Sequence, residues 1–156
     1  GQFWIFEGGL RSAAELPSRL ISKISGINYM NNMVDYILLG KGTFPSDKDD
    51  PYMKDKCCGI VSFVAKHGVV GAICGLEDAI AATPSVIEYE SRYPVGSVTP
   101  DTNTLRQLMI RFVMICDSRE QLVKDVTYLN EHIAVLNDKD ENMVIKLDPD
   151  RIIKEF

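Results

Sequence analysis

Three charged side chains near the start of the chain, Glu7, Arg11 and Glu15, follow one another at intervals of four residues. Glu7 ends the apolar run 3–6 and precedes a Gly-Gly pair, a pattern that predicts a buried strand ending in a tight loop. A carboxylate there can bind a hard cation, and a nearby guanidinium can clamp phosphate or carboxylate. Arg11 and Glu15 would share one face of the incoming helix, where Glu15 could act as a base. The spacing is compatible with a small polar site where strand, loop and helix meet.

An exposed ion-pair network is the alternative interpretation of these three residues. Acidic and basic side chains commonly cluster at the start of a helix, where they stay solvated and contribute little to stability. Spacing alone favours this interpretation, so the choice depends on the residues that surround the three charges.

The surrounding residues resemble the last catalytic segment of the ATP-grasp ligases. The carboxylase branch of that family carries Glu-x-Asn-x-Arg-x-x-x-Glu after an apolar strand, and Glu7, Arg11 and Glu15 keep this spacing. The run 24–30, Ile-Ser-Gly-Ile-Asn-Tyr-Met, resembles the family's Thr-Gly-hydrophobic-Asp-Leu-hydrophobic step between two helices. The chain thus looks like a biotin carboxylase-like, carbamoyl-phosphate synthase-like or L-amino acid ligase-like protein, with a weaker likeness in its second half.

The resemblance implies a role for each charged residue. Glu7 resembles the magnesium-bridging carboxylate, which makes it the predicted metal ligand. Arg11 resembles the clamp on phosphate or substrate, and Glu15 the acid/base or substrate-orienting carboxylate, so both are predicted to be catalytic and Arg11 also to bind the cofactor. Gly9 stands where the family has a metal-binding Asn and offers no side chain. Full two-metal coordination would therefore need another group or water.

ATP-grasp ligases join a carboxylate to an amine or another nucleophile through an acyl phosphate, with ATP and Mg²⁺ held between two lobes. This sequence has no Gly-rich phosphate loop, nucleotide-binding lysine or upstream metal-binding carboxylate. The resemblance therefore implies the C-terminal part of a ligase, which alone is inactive and holds neither ATP nor Mg²⁺ tightly. The complete enzyme would also contain an N-terminal ATP-binding lobe, either in the same chain or in a partner subunit. Its substrates would be a small carboxylate and an amine. The alternative is a non-catalytic binding or assembly domain derived from such a ligase.

Length and composition predict one domain over residues 1–156, because 156 residues that are 46% hydrophobic can bury a sizeable core. By resemblance, residues 1–42 would form the last part of the ATP-grasp catalytic core, and residues 56–156 would form a β-rich C-terminal subdomain.

The 22 acidic and 17 basic residues give a net charge of -5, which argues against a nucleic-acid or anionic-membrane surface.

Further sequence features concern location and cysteine chemistry. No apolar run approaches the roughly 20 residues that span a bilayer, so we expect a cytoplasmic protein, with a homodimer as a further possibility.

None of the four cysteines forms a Cys-x-x-Cys pair. We expect all four to be reduced, buried, small apolar residues.

Beyond the strand at 3–6, the sequence pattern predicts five helices and five strands. The helices cover 15–25, 29–39, 75–80 and 119–132, with a short closing helix that starts at 148–151. These five strands cover 56–65, 68–74, 85–93, 105–116 and 143–147. We expect the first two strands to form a hairpin and the fourth, which contains Arg111, to be central; Arg111 could face solvent or the site. Together these elements predict an α+β fold, a largely antiparallel sheet with flanking helices, as in the C-terminal part of an ATP-grasp fold.

Overall fold

A computed structural model describes residues 15–42, 55–149 and 151 of the chain, which divides into two units, residues 1–54 and 55–156. In the first unit the described residues form helix α1, Glu15–Ser25, and helix α2, Tyr29–Leu39. Both helices have the predicted bounds. Pro17 lies in the first turn of α1, where the helix does not need a backbone N–H from it.

The apolar stripe of α2 is exposed, although methionine and aliphatic residues at this helical spacing usually form part of a core. No residue of α2 is buried, and the exposed fractions of the five stripe residues range from 37% to 75%. These residues are Met30, Met33, Val34, Ile37 and Leu38. Helical periodicity shows that one face of a helix is apolar, but it does not show what covers that face.

The second unit is an α+β arrangement whose strand pairs are all antiparallel among the described residues. Its elements are β1 Cys57–Ala65, β2 Gly68–Val69, β3 Ala72–Cys74, α3 Leu76–Ala81, β4 Val86–Ser91, β5 Val98–Thr99, β6 Leu108–Cys116, α4 Arg119–His132, β7 Ala134–Leu136 and β8 Val144–Ile145. The main sheet has the order β4-β6-β1-β8, while β2 pairs with β5 and β3 with β7. This confirms the α+β class, the largely antiparallel sheet and the central position of the strand that contains Arg111.

The core of this unit lies on one face of the main sheet. Phe63 of β1 and Phe112 of β6 are fully buried there, and their rings meet edge to face with centroids 5.2 Å apart. Helix α4 adds three buried side chains, Leu122, Val126 and Leu129, to the same cluster. Such burial is the main source of stability in a unit of this size.

The predicted hairpin between β1 and β2 was wrong. Strand β1 pairs with β6 and β8, and β2 pairs with β5. The segment predicted as one strand, 68–74, is divided into β2 and β3 at Gly71. A Cβ added to Gly71 would lie 2.6 Å from the backbone oxygen of Asn137. The two strand-like runs on either side of residues 66–67 correctly indicate a turn there. Which strands pair depends on the side chains that the whole unit buries, and this is not visible in the two runs.

Candidate functional site

The predicted site residues Glu7 and Arg11, together with Gly9, lie outside the described residues. Glu15 is the first residue of α1, but its side chain also lies outside them. In the part of the chain that is described, no group of three His, Cys, Asp or Glu side chains could hold a metal ion. The convergence of the three charges and the magnesium site therefore stay predictions.

The turn that follows α1 gives a physical role to each residue of the Ser-Gly-Ile-Asn step. The Ser25 hydroxyl accepts a hydrogen bond from the Ile27 amide at 3.1 Å, and Ile27 is only 3% exposed. Gly26 has a φ of +71°, a left-handed conformation that favours glycine. Asn28 caps α2, since its side chain accepts a hydrogen bond from the Asn31 amide at 3.0 Å.

Arg111 lies on the face of the main sheet opposite the core, which we call the outer face. Its cross-strand neighbours are Ser62 of β1 and Glu90 of β4. The Arg111 Nη1 atom is 3.7 Å from a Glu90 carboxylate oxygen, and Arg92 Nε donates to the other at 3.3 Å. The side chain of Arg111 is 19% exposed, and its Nε atom is buried without a hydrogen-bond partner in residues 15–42, 55–149 and 151.

Arg111 therefore lies on the outer face of the sheet without being fully open to solvent. The side chain points away from the core but is mostly covered, so it is not a freely solvated charge. A guanidinium with an unused donor can bind carboxylate or phosphate oxygens, although Glu90 already offsets part of its charge. Sequence reasoning missed Ser62 and Glu90, because only the strand register brings them beside Arg111.

A buried polar network holds α4 against the start of β4. Asp125 accepts hydrogen bonds from the Ser85 hydroxyl at 2.5 Å and from the side-chain amide Nε2 of Gln121 at 2.6 Å. Both carboxylate oxygens therefore have donors, which offsets the cost of burying the group. Both histidines of the chain bind backbone carbonyls elsewhere, so neither is placed to activate the Ser85 hydroxyl. We therefore assign this network a structural role.

Both histidines bind backbone carbonyls. His67 Nδ1 lies 2.6 Å from the Thr99 oxygen, and His132 Nδ1 lies 2.8 Å from the Tyr128 oxygen in the last turn of α4. Because a carbonyl oxygen only accepts, each Nδ1 must carry the proton. His67 lies in the turn between β1 and β2, and His132 is the last residue of α4.

All four cysteines are free, but they differ in burial. Cys116 is 2% exposed, Cys57 and Cys58 are half-buried, and Cys74 is exposed. Cys116 is therefore the one cysteine that is buried as predicted, and the prediction was wrong for Cys74, which ends the short strand β3. Burial raises the pKa of the Cys116 thiol from 9.0 to about 11, while its hydrogen bond with Ser85 acts in the opposite direction.

This pKa predicts a loss of stability at alkaline pH. The unfolded thiol loses its proton near pH 9 and the folded thiol only near pH 11, so the Cys116 contribution to stability is intact below pH 9 and falls as the pH rises to 11. The expected fall is about 2 kcal/mol. Urea denaturation at several pH values would measure it, with Cys116→Ala as the reference that cancels the other titrating groups. A constant difference between the two proteins from pH 8 to 11 would contradict the assignment.

A cleft of about 530 Å³ lies beside β8 and the turn before β6. Its lining consists of Val64, Asn103, Thr104, Leu105, Gln107, Leu108 and Ile145. None of these side chains titrates, so the cleft offers apolar contact and amide or hydroxyl groups but no acid or base.

Comparison with known proteins identifies the type of fold. Neither a protein-family model nor a curated protein matches the sequence. Among solved structures, the chain is similar to the crystal structure of an L-amino acid ligase from Bacillus licheniformis, with 15% sequence identity and a TM-score of 0.61. The chain has an ATP-grasp-like fold. The match covers 78% of this chain and 29% of the ligase, so the chain spans less than a third of the length of its structural neighbour.

At 15% identity the likeness establishes the fold and leaves the activity open. No helix within the described ranges is long and apolar enough to cross a membrane.

Proposed function

We propose that this chain is the C-terminal part of an ATP-dependent ligase that joins a small carboxylate to an amine, or performs a related carboxylation, through an acyl phosphate. The observation that carries the proposal is the ATP-grasp-like fold shared with an L-amino acid ligase over 78% of the chain. The Glu7, Arg11 and Glu15 spacing and the capped turn at residues 25–28 support it independently.

In this proposal Glu7 binds Mg²⁺, Arg11 clamps a phosphate or the substrate carboxylate, and Glu15 orients the nucleophile or takes its proton. ATP and Mg²⁺ supply the activated phosphoryl group and neutralise its charge in the complete enzyme. A guanidinium suits this position because it offers two parallel donors and stays charged at every physiological pH. The other metal ligands would come from the rest of the enzyme.

The missing partner in the proposal is an ATP-binding lobe, in the same chain or a partner subunit. The chain spans 29% of the ligase that it resembles, which leaves room for such a lobe in the complete protein. The exposed apolar stripe of α2 also supports a partner surface, because a folded protein rarely leaves several large apolar side chains of one helix in water. Alone, the chain is proposed to be inactive.

A non-catalytic binding or assembly domain is the second candidate. Gly9 favours it, because glycine replaces the metal-binding Asn of the family motif. In this case the charged residues at the start of the chain would be a remnant of a lost site.

The sequence encoded upstream of this chain and an assay of ADP release distinguish the two candidates. The ligase proposal expects an upstream or partner ATP-binding lobe and, in the complete protein, ADP formation that requires both a carboxylate and an amine. Mixtures of amino acids are the first substrates to test, and bicarbonate tests the carboxylation arm. An open reading frame that begins at Gln2 without such a lobe, or a complete protein that forms no ADP with any of these substrates, would favour the non-catalytic domain.

A further inference from the structure

Cys57 and Cys116 lie directly opposite each other at one end of the central strand pair. They are Cα partners in the antiparallel register of β1 and β6. Opposite residues in such a pair have Cα atoms about 4.5–5.5 Å apart, within the roughly 4.4–6.8 Å that a disulfide spans. Cys116 belongs to the buried core cluster and Cys57 packs against it, so both thiols are on the same face of the sheet.

A second contact holds the same strand ends together. Lys56 and Asp117, the next residues outward from the cysteine pair, form an ion pair. Cys58 is adjacent in sequence, but its partner across the strands is Ile115, and alternation places both on the outer face. The register therefore selects Cys57, and not Cys58, as the partner of Cys116.

We propose that Cys57 and Cys116 are a redox-sensitive pair that forms a reversible disulfide between β1 and β6. The proposal is independent of the proposed ligase activity, since it uses only the register and burial of the second unit. A hydroperoxide is the oxidant, and the bond would fasten the two longest strands of the main sheet at one end.

The reaction takes place in two steps. The half-buried Cys57 thiol attacks the hydroperoxide, which releases an alcohol and leaves a sulfenic acid on Cys57. The Cys116 sulfur then gives up its proton, attacks the Cys57 sulfur and expels water as the S–S bond forms. Two thiols have together lost two protons and two electrons, and the hydroperoxide has been reduced to an alcohol and water. A dithiol reduces the bond and restores both thiols.

Peptide mapping tests the pairing. Trypsin cleaves after Lys56, Lys66, Arg111 and Arg119, so Cys57 and Cys58 share the peptide 57–66 and Cys116 lies in the peptide 112–119. The folded Cys58→Ser protein, treated with tert-butyl hydroperoxide and digested without reductant, is expected to yield these two peptides joined. The matched Cys57→Ser protein, which keeps Cys58, is expected to yield them separate.

Thermal unfolding gives a second readout. A bond that closes a loop of this length is expected to raise the unfolding midpoint of oxidised Cys58→Ser by about 5 °C or more. Dithiothreitol should remove the shift, and Cys57→Ser should not show it. Separate peptides in Cys58→Ser, joined peptides in Cys57→Ser, or linkage only between two copies through the exposed Cys74 would each overturn the proposal.

Discussion

If the complete protein is the proposed ligase, replacing Arg11 by alanine is expected to lower its rate of ATP turnover by about a hundredfold to a thousandfold. Under the proposed function its guanidinium stabilises charge that develops on the phosphate or the carboxylate through two parallel donors, which alanine lacks. Glu7→Gln is expected to lower turnover as well, because an amide binds Mg²⁺ more weakly than a carboxylate does. Initial rates of ADP release at saturating ATP would measure both losses.

The free energy of unfolding separates this role from a structural one. Both variants should unfold within about 0.5 kcal/mol of the wild type if the side chains serve chemistry. Arg119→Ala is a matched control, because Arg119 is an exposed arginine at the first position of α4. It should leave turnover unchanged. Wild-type turnover in both Glu7→Gln and Arg11→Ala would refute the assigned roles, and a large loss of stability would indicate the ion-pair interpretation.

Gly75→Ala is expected to destabilise the protein by about 3 kcal/mol or more. Gly75 precedes α3 with a φ of +72°, which already disfavours any residue with a Cβ. An added Cβ would also lie 2.0 Å from the backbone oxygen of His132, far inside a normal contact. The start of α3 or the end of α4 would have to move, and both pack on the same core. Chemical denaturation followed by circular dichroism would measure the loss.

Gly96→Ala isolates the contribution of backbone strain. Gly96 also has a positive φ, +89°, but no atom lies within 4 Å of a Cβ built there. Gly96→Ala is therefore expected to lower the free energy of unfolding by only about 1 kcal/mol. Equal losses in the two alanine variants would mean that the close approach of Gly75 to His132 does not contribute.

Local signals predicted the helices well, whereas pairing between distant segments was harder to predict. Ser118 accepts a hydrogen bond from the Gln121 amide and an apolar repeat follows it, so α4 begins and ends where the sequence indicates. The partners of β1 are β6 and β8, and nothing within β1 specifies either of them. Strand β7 was missed because its three residues, Ala134–Leu136, are too few to show a period.

In the candidate site, too, contacts between neighbouring residues could be predicted from the sequence, and contacts between distant strands could not. The Ser-Gly-Ile-Asn step could be interpreted from four adjacent residues, because each contacts atoms within one helical turn. The surroundings of Arg111 depend on Glu90 and Ser62, which lie on separate strands. The direction of its side chain is a property of the sheet, so a single strand could not determine it.

The pairing of β1 with β6 also affects how the chain folds during synthesis. Cys57 and Cys116 are about 60 residues apart, so at roughly 5–20 residues per second β1 waits several seconds after it leaves the ribosome before its main partner follows. During that delay Val61 and Phe63 have no strand to cover them. We therefore expect β1 to be a binding site for chaperones on the nascent chain.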